Sequence, residues 1–312
     1  MMPSFAIFGA SGQTGPYIGR ALSCSGLAYR AVGRNRPALE AAFAADPFAE
    51  IVTWDPQSSA SVEEAANGID TIFYTVGVPY DQFELHPVIM RRTLEGALAA
   101  RVRRIVLITN VYPYGIPQTN PVEENHPRNP QTFKGRMRKE QEDVLFEAHA
   151  SGNIAATALR LPDFFGPGVR GSLVYDLFVA AKKGGRANLI GPIDLPHQFV
   201  YVPDIGPVAV ALAAQEQAYG SVFHFAGSGT MTQRELAQRV FAQAGTKPKY
   251  MVANKTMLRL FGLAVPLMRE LVEMHYLETT PVILDDRKLR ALLPQTTATT
   301  YDEAITQTLA AS

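Results

Sequence analysis

A run of spaced glycines near the N-terminus constrains the fold more than any other feature of this sequence. Gly9, Gly12 and Gly15 directly follow a short apolar, strand-like run and precede a helical segment. In a dinucleotide site the first glycine permits a tight turn, the second lets the backbone approach a pyrophosphate, and the third lets helix and strand pack closely. The amides of the helix N-terminus then face the phosphate charge.

The alternative to a phosphate-binding turn is a tight turn with a purely structural role. The strand–turn–helix context favours dinucleotide binding over that alternative. The residues of this turn that we expect to contact a cofactor are Gly9, Ser11, Gly12, Gln13, Thr14 and Gly15.

The end of the second predicted strand bears on which dinucleotide is bound. NAD-preferring sites place an acid about 20 residues after the glycines, where it accepts hydrogen bonds from the ribose hydroxyls. This chain has Arg34 there, and a guanidinium can pair with a 2′-phosphate, so we expect NADP(H) to be preferred, with NAD(H) as the alternative. The competing interpretation is that Arg34 and Arg36 are solvated residues at the start of a helix.

Alternation of short apolar runs with helical stretches predicts an α/β protein with a doubly wound parallel sheet of the Rossmann type. We expect strands at Phe5–Phe8, Tyr29–Val32, Ile51–Trp54, Thr71–Val76, Ile105–Thr109 and Ala156–Leu161, and helices that include Pro37–Ala45 and Pro87–Ala100. Further on, His197–Val202 and Ser221–Ala226 suggest a return to the sheet, and Thr232–Ala244 opens with capping-box spacing. We therefore assign residues 1–163, with about 197–226, to a cofactor domain, and about 164–196 and 227–312 to a smaller, mainly helical substrate lobe.

Charge and composition argue against several other classes of protein. Lys+Arg and Asp+Glu both number 29, so nothing suggests a nucleic-acid partner. One cysteine, Cys24, cannot form an internal disulfide, and the six histidines show no ligand spacing, so we expect no metal and a reducing, cytoplasmic setting.

The apolar stretch Met257–Val272 is interrupted by charges and a proline, so we expect no membrane span. The apolar stripe within it, at Met257–Met268, could be core, a pocket wall or a dimer face.

Several segments together resemble the extended short-chain dehydrogenase/reductase superfamily, the NAD-dependent epimerase/dehydratase family. The glycines match its GxxGxxG form, and Asp55 follows the third strand where the family places an acid near adenine. Thr75-Val76-Gly77, Leu159–Pro162 with Phe165–Gly168, and Phe199–Ile205 resemble three further family segments. The resemblance implies that Val76, Gly77 and Pro162 lie along the cofactor. Homodimers are common in the family that the chain resembles, but the residues themselves leave the oligomeric state open.

The resemblance fails at the family's Tyr-x-x-x-Lys, whose tyrosine exchanges a proton with the substrate. Aligned without a gap, Lys134 stands at the tyrosine position and Arg138 at the lysine position; a shift of one residue aligns Lys139 with the lysine but leaves Gly135 for the tyrosine. Thr109 and Asn110, at the end of the fifth strand, remain able to hydrogen-bond a substrate, and the resemblance places Thr109 and Lys134 near the cofactor as well.

A proton donor must then come from elsewhere or be absent. We expect Tyr112 or Tyr114 to serve, with Lys134 or Lys139 nearby to lower the phenol pKa; the alternative is a plain loop of packing aromatics. The function favoured is NADP(H)-dependent hydride transfer on a small carbonyl or alcohol, with Phe164, Phe165 and Tyr175 lining the substrate pocket. The alternatives are a non-catalytic NADP(H) sensor, an epimerase or dehydratase working through a keto intermediate, and a scaffold with a vestigial site.

Overall fold

A computed structural model describes residues 4–311 of the chain. Its strands are β1 Phe5–Phe8, β2 Tyr29–Gly33, β3 Ala49–Thr53, β4 Thr71–Tyr74, β5 Arg104–Asn110, β6 Ala155–Leu161, β7 Asp163–Phe165, β8 Ala187–Ile190, β9 Pro196–Tyr201, β10 Val222–His224, β11 Thr230–Thr232 and β12 Tyr250–Ala253. Its helices are α1 Gly15–Cys24, α2 Arg36–Phe43, α3 Ser59–Ala66, α4 Leu85–Ala99, α5 Phe133–Ala150, α6 Tyr175–Lys182, α7 Val202–Ala213, α8 Gln233–Gln243, α9 Lys255–Phe261, α10 Pro266–Met274, α11 Tyr276–Thr279, α12 Arg287–Leu292 and α13 Tyr301–Ala311.

The central sheet has seven parallel strands in the order β10-β6-β5-β4-β1-β2-β3. This is the doubly wound arrangement that the alternation of apolar runs predicts, and each of the six predicted N-terminal strands is present. The order reverses beside β1, and in open parallel sheets a ligand crevice forms at that reversal, outside the carboxyl ends of the strands. The glycine turn therefore lies where a ligand is expected.

Both faces of the sheet are covered, which explains why its strands are nearly continuous apolar runs. Along β1, Ile7 belongs to one core, whereas Ala6 and Phe8 belong to the other, because successive side chains of a strand point to opposite faces. Helices α1 and α7 cover the first face, and α3, α4 and α5 cover the second. The backbones of α1 and α7 approach closely, since a Cβ on Gly206 would lie 2.1 Å from the Tyr17 carbonyl oxygen.

The second lobe contains two small sheets, β11-β9-β7 and β12-β8, around a core of its own. Here one expectation is wrong: the predicted strand His197–Val202 forms β9, which pairs with β7 and β11 rather than with the central sheet. Of the two segments predicted to return to that sheet, the one that does so is β10, beside β6. The predicted capping box at the start of α8 is present, with Thr232 and Glu235 bonding each other's backbone.

The apolar stripe at Met257–Met268 is largely on the surface rather than in a core. Leu263 is 87% exposed at the junction of α9 and α10, and several of its apolar neighbours also face outward: Leu260, Phe261, Val265 and Leu267. Within the described residues, no helix is both long and apolar enough to cross a membrane. No group of three or more potential metal ligands is found in that part of the chain either.

Candidate functional site

The glycine turn has the geometry that a phosphate-binding turn requires. Gly9 has φ +86°, a left-handed conformation that favours glycine, and a Cβ there would lie 2.9 Å from the Thr75 backbone. A Cβ on Gly15 would lie 2.1 Å from the Ala10 carbonyl oxygen, so α1 can begin this close to β1 only with glycine. The turn is held from beneath, where the amides of Gly9 and Ala10 both donate to the Val32 carbonyl.

Several polar groups of the turn remain free to bind a ligand. Ser11 and Gly12 are exposed, and the side chain of Thr14, the N-cap of α1, makes no capping hydrogen bond. The Gln13 side-chain oxygen is buried and has no hydrogen-bond partner in the part of the chain that the structure describes. A turn with open amides and an uncapped helix N-terminus fits a dinucleotide pyrophosphate, and the Gln13 oxygen, an acceptor, is available to a ligand hydroxyl.

The adenosine end of the predicted cofactor site is also open. Arg34 follows β2, is exposed, and makes no hydrogen bond or ion pair with any residue in the range 4–311. Arg36, two residues later, already pairs with Glu40 at 2.9 Å. Asp55 is exposed after β3, and one of its carboxylate oxygens accepts the Gln57 amide at 2.9 Å. Within the described residues, Arg34 is thus a cation without a partner at this edge.

The ends of β4 and β6 complete the crevice. The hydroxyl of Thr75 donates to the carbonyl oxygens of Phe8 and Gly9 at 3.0 and 3.1 Å, which fixes the β4 loop against the glycine turn. Val76 is half-buried and Gly77 is exposed beside it, whereas Pro162 is buried between β6 and β7. The structure thus brings Gly9, Val76 and Gly77 to one edge, as the resemblance implies.

The end of β5 differs from expectation. Thr109 is 3% exposed; its hydroxyl donates to Glu142 at 2.8 Å and accepts from Arg138 at 3.2 Å. Because both partners are protein groups, this hydroxyl lies inside a buried polar cluster rather than towards a substrate. Asn110 is half-buried, and its side-chain oxygen accepts the Tyr112 amide at 3.1 Å.

The cluster around Thr109 is centred on Glu142, which is fully buried in α5. Glu142 accepts hydrogen bonds from Arg160 of β6 and, at 3.1 Å, from Arg128. Arg160 is itself fully buried, and the Glu142 carboxylate raises its pKa against the opposing effect of burial. The cluster ties α5 to β5 and β6 beneath the crevice.

Tyr114 is not placed to exchange a proton with a substrate, so this prediction needs correction. It is 0% exposed, and its hydroxyl lies 2.6 Å from Nε2 of His224. His224 Nδ1 lies 2.9 Å from the Asp285 carbonyl oxygen, which makes Nε2 the acceptor of the phenol proton. Burial raises the pKa of Tyr114 to about 12, although Arg160 lies over its ring. Tyr114 is a packed core residue.

Tyr112, the other candidate, is half-buried beside the crevice. Its hydroxyl lies 2.5 Å from the hydroxyl of Tyr80, a residue of the β4–α4 loop that sequence reasoning did not single out. Burial raises the pKa of Tyr112 well above its usual value, and the charge of Asp163 acts in the same direction. The phenol therefore stays protonated at neutral pH and is a weak acid there.

Neither lysine reaches a phenol oxygen in the way that the sequence suggests. Lys134 is 2% exposed, and its ammonium donates to Glu270 and Glu273 of α10 at 2.6 Å each. The same ammonium lies 5.3 Å from the centre of the Tyr80 ring. Lys139 pairs with Asp143 at 2.6 Å. Lys134 thus joins α5 to α10, and its charge is balanced by two carboxylates.

The predicted substrate residues divide into two groups. Phe165 is 1% exposed and stacks on Phe178, with ring centroids 5.4 Å apart, in the core of the second lobe, so it cannot line a pocket. Phe164 and Tyr175 are half-buried. They remain available to a ligand.

Sequence reasoning missed two carboxyl groups near the crevice, Asp163 and Glu278. Asp163 begins β7, immediately after the buried run of β6, and Glu278 lies on α11 with 5% exposure. A charged residue directly after a buried parallel strand was the available signal for Asp163, because strand carboxyl ends form the ligand edge of such sheets. No comparable signal marks Glu278, which the fold brings in from far along the chain.

The comparisons with known proteins agree with this geometry. Residues 9–160 match the NAD(P)H-binding protein family. Among curated proteins, Sinorhizobium fredii protein y4nG is 24% identical over 246 residues, which cover 77% of this chain and 60% of y4nG. Escherichia coli protein YeeZ is 38% identical over 90 residues, 29% of this chain and 31% of YeeZ. The chain thus matches less than two thirds of the length of either relative.

Solved structures match over nearly the whole chain. UDP-glucuronic acid 4-epimerase from Bacillus cereus, in complex with NAD, superposes with a TM-score of 0.81 at 13% identity and covers 98% of this chain and 97% of its own. DesIV, a dTDP-glucose 4,6-dehydratase from Streptomyces venezuelae, gives 0.80 at 17% identity, with 98% and 95% covered. Residues 9–160, just under half of the chain, are thus similar to an NAD(P)H-binding family, and 98% of the chain shares the fold of this NAD-bound epimerase and of this dehydratase.

Proposed function

We propose that this protein is an NAD(P)-dependent oxidoreductase that prefers NADP(H) and transfers a hydride to or from a small carbonyl or alcohol substrate. The observation that carries the proposal is the turn at Gly9–Gly15, where close approach at Gly9 and Gly15 admits no side chain and polar groups stay free. When bound, the nicotinamide cofactor supplies the hydride. The division into a cofactor domain and a substrate lobe remains part of the proposal.

The chain's own residues have separate tasks in this reaction. The amides of the turn and the N-terminus of α1 would hold the pyrophosphate, and Arg34 would pair with the 2′-phosphate. Val76 and Gly77 would lie along the cofactor, and the half-buried Phe164 and Tyr175 would exclude water from one side of the substrate. The buried cluster around Glu142 would keep β5 and β6 in register beneath the reacting groups.

Hydride transfer can be tested directly. Purified protein is incubated with NADPH deuterated at either face of nicotinamide C4 and a panel of ketones, aldehydes and quinones. The proposal expects deuterium from one face only to appear at carbon in the alcohol product. Saturable NADPH binding with no transfer to any substrate would instead support the sensor, a function that the neutralised Lys134 also favours.

An epimerase or dehydratase would begin with the same hydride chemistry. The two solved structures described above are named as enzymes that act on nucleotide sugars, and this similarity supports the alternative. It predicts net conversion of a sugar nucleotide without net consumption of cofactor, which chromatography of the products would detect.

The preference for NADP(H) depends on Arg34. Because a charge-assisted hydrogen bond contributes about 1.5–3 kcal/mol, Arg34→Ala should raise the Kd for NADPH about 10- to 100-fold and leave that for NADH nearly unchanged. Arg36→Ala is the matched control, since that guanidinium is already paired with Glu40. Fluorescence titrations of both variants with both nucleotides measure the effect. Equal losses for NADPH and NADH would contradict the assignment of Arg34 to the 2′-phosphate.

A homodimer in the cytoplasm also remains a proposal. The exposed apolar residues of α9 and α10 support self-association, because contiguous apolar surface commonly marks an interface. We expect light scattering to give the mass of a dimer and Leu263→Glu to give that of a monomer. A monomeric wild-type protein would contradict the proposal.

A further inference from the structure

Three ionisable side chains from separate elements meet where the proposed substrate would lie. In the sheet register Asn110 of β5 lies beside Leu161 of β6. Two residues beyond each of these come Tyr112 and Asp163, so the two side chains follow neighbouring strand ends. Tyr80 enters from the loop after β4 and hydrogen-bonds to Tyr112.

Asp163 differs from other half-buried aspartates near the second lobe in having no side-chain partner among the described residues. Its carboxyl group makes no hydrogen bond or ion pair with the residues at 4–311. Other half-buried carboxylates, such as Asp204 and Asp285, are satisfied by Thr299 and Arg287. A carboxyl without a partner at the edge of a ligand crevice is available to a ligand.

The ionisable groups around Asp163 come from several elements. The charge of Asp163 acts on Tyr80, Tyr112 and Glu278, and the two phenols in turn feel Glu273 of α10, Tyr276 of α11 and Arg138 of α5. Burial raises the pKa of Asp163 to about 6. The charge of Asp163 in turn raises the pKa values of both phenols and of Glu278.

We propose that Asp163 is the catalytic residue that donates the proton to the carbonyl oxygen of an uncharged substrate, in place of the family tyrosine that this chain lacks. The inference rests on the proposed function. In the reduction, the carbonyl carbon gains the hydride, the electron pair of the C=O π bond moves to oxygen, and that oxygen takes the Asp163 proton. Asp163 is left as a carboxylate, which regains a proton from water, and the cofactor is left oxidised.

The charged groups near Asp163 also favour uncharged substrates over negatively charged ones. Lys134 is already held by two glutamates, and Arg138 is buried against Thr109, Gln141 and His86. Among the described residues, neither of these cations is therefore free to pair with a charged substrate, and proton transfer leaves a negative charge on Asp163. An uncharged carbonyl compound fits this site, whereas a carboxylate or phosphate near the reacting carbon is repelled.

The main test is Asp163→Asn, compared with Asp176→Asn, an exposed aspartate of α6, as the matched control. Because general acid catalysis contributes about 100-fold or more, kcat for ketone reduction should fall by about that factor in Asp163→Asn, with little change in KM, and should be unchanged in the control. Tyr112→Phe should have a smaller effect. Unchanged kcat in Asp163→Asn would overturn the inference while leaving hydride transfer established.

The pH dependence separates a proton donor from a merely structural residue. A carboxyl whose folded pKa is raised stays protonated up to that pKa, so wild-type reduction should be fastest below about pH 6 and fall as the pH rises through that value. Asp163→Asn should lose this dependence. In the cofactor-free wild-type protein, infrared spectroscopy should show a carboxyl C=O band that titrates near pH 6. Absence of that band would overturn the inference even if the variant does not fold.

A further test compares the reduction of a charged and an uncharged substrate. A ketone bearing a carboxylate near the carbonyl should be reduced at least about 10-fold less efficiently than its uncharged amide, and Asp163→Asn should narrow this difference. Equal kcat/KM for the two compounds in the wild-type protein would contradict the selection by charge. If the wild-type protein transfers hydride to no carbonyl compound, the proposed function fails and this inference fails with it.

Discussion

Gly12→Val is expected to abolish binding of both NADPH and NADH while leaving the protein folded. A Cβ at Gly12 would lie 3.0 Å from the Gly9 carbonyl oxygen, and no other atom would be closer than 4.0 Å, so the fold can accept it with a small local shift. The added methyl groups would occupy the space through which a pyrophosphate reaches the turn amides. Loss of several charge-assisted hydrogen bonds, at about 1.5–3 kcal/mol each, should raise both Kd values about 100-fold or more.

Fluorescence titration measures the nucleotide affinities, and thermal unfolding checks the fold of the variant. Gly185→Ala is the matched control, because a Cβ there makes only ordinary contacts of 3.6 Å or longer with the Ala180 backbone. It should leave both affinities unchanged. If Gly12→Val binds NADPH as tightly as the wild-type protein, the assignment of the turn to the pyrophosphate is wrong.

Glu142→Ala is expected to produce the largest loss of stability. The substitution leaves Arg160 fully buried without its carboxylate partner; it also removes the acceptor for Thr109 and one of the two carboxylates that pair with Arg128. Breaking a buried ion pair from one side costs about 3–5 kcal/mol, because an uncompensated charge remains in the interior. The free energy of unfolding from urea titrations should fall by that amount.

Glu140→Ala, on the same helix, provides the control. Glu140 pairs with Arg91 at 2.7 Å, but both side chains are about half exposed. An exposed pair of this kind contributes about 0–1 kcal/mol. Should the two substitutions cost the same, the buried cluster would have no special part in holding β5 and β6.

Most of the cofactor half could be predicted from the sequence because its signals are local. A buried parallel strand is a continuous apolar run, and the turn after β1 requires glycines at close spacing, so both features are visible in a few residues. Arg34 could be placed by its distance from those glycines, and Asp55 by the family resemblance at the end of the third strand. The structure leaves both exposed at the expected edge.

The second lobe and the proton-donor site were less accessible to sequence reasoning. The sequence of β9 is typical of a strand of the central sheet, yet β9 pairs with β7 and β11. No local sequence pattern indicates which sheet a strand belongs to. Tyr112 and Tyr114 are two residues apart and look equivalent. The short helical turn at Tyr112–Tyr114 nevertheless sends one towards Tyr80 and the other into the core against His224.

Long-range pairing explains the remaining difference. Lys134 and its partners Glu270 and Glu273 are far apart in the chain, so the neutralisation of this lysine has no sequence signature. Asp163 and Glu278 likewise come together only through the packing of α11 near β7. Individual strand ends can be predicted from sequence, whereas the ionisable groups that meet above them depend on the packing of the second lobe.

The most direct test of the account is titration of the purified protein with NADPH, followed by nicotinamide fluorescence. We predict saturable binding of one NADPH per chain, a fluorescence change typical of a nicotinamide shielded from water, and weaker binding of NADH. No saturable change with either nucleotide would contradict the central claim that the turn at Gly9–Gly15 is a dinucleotide site.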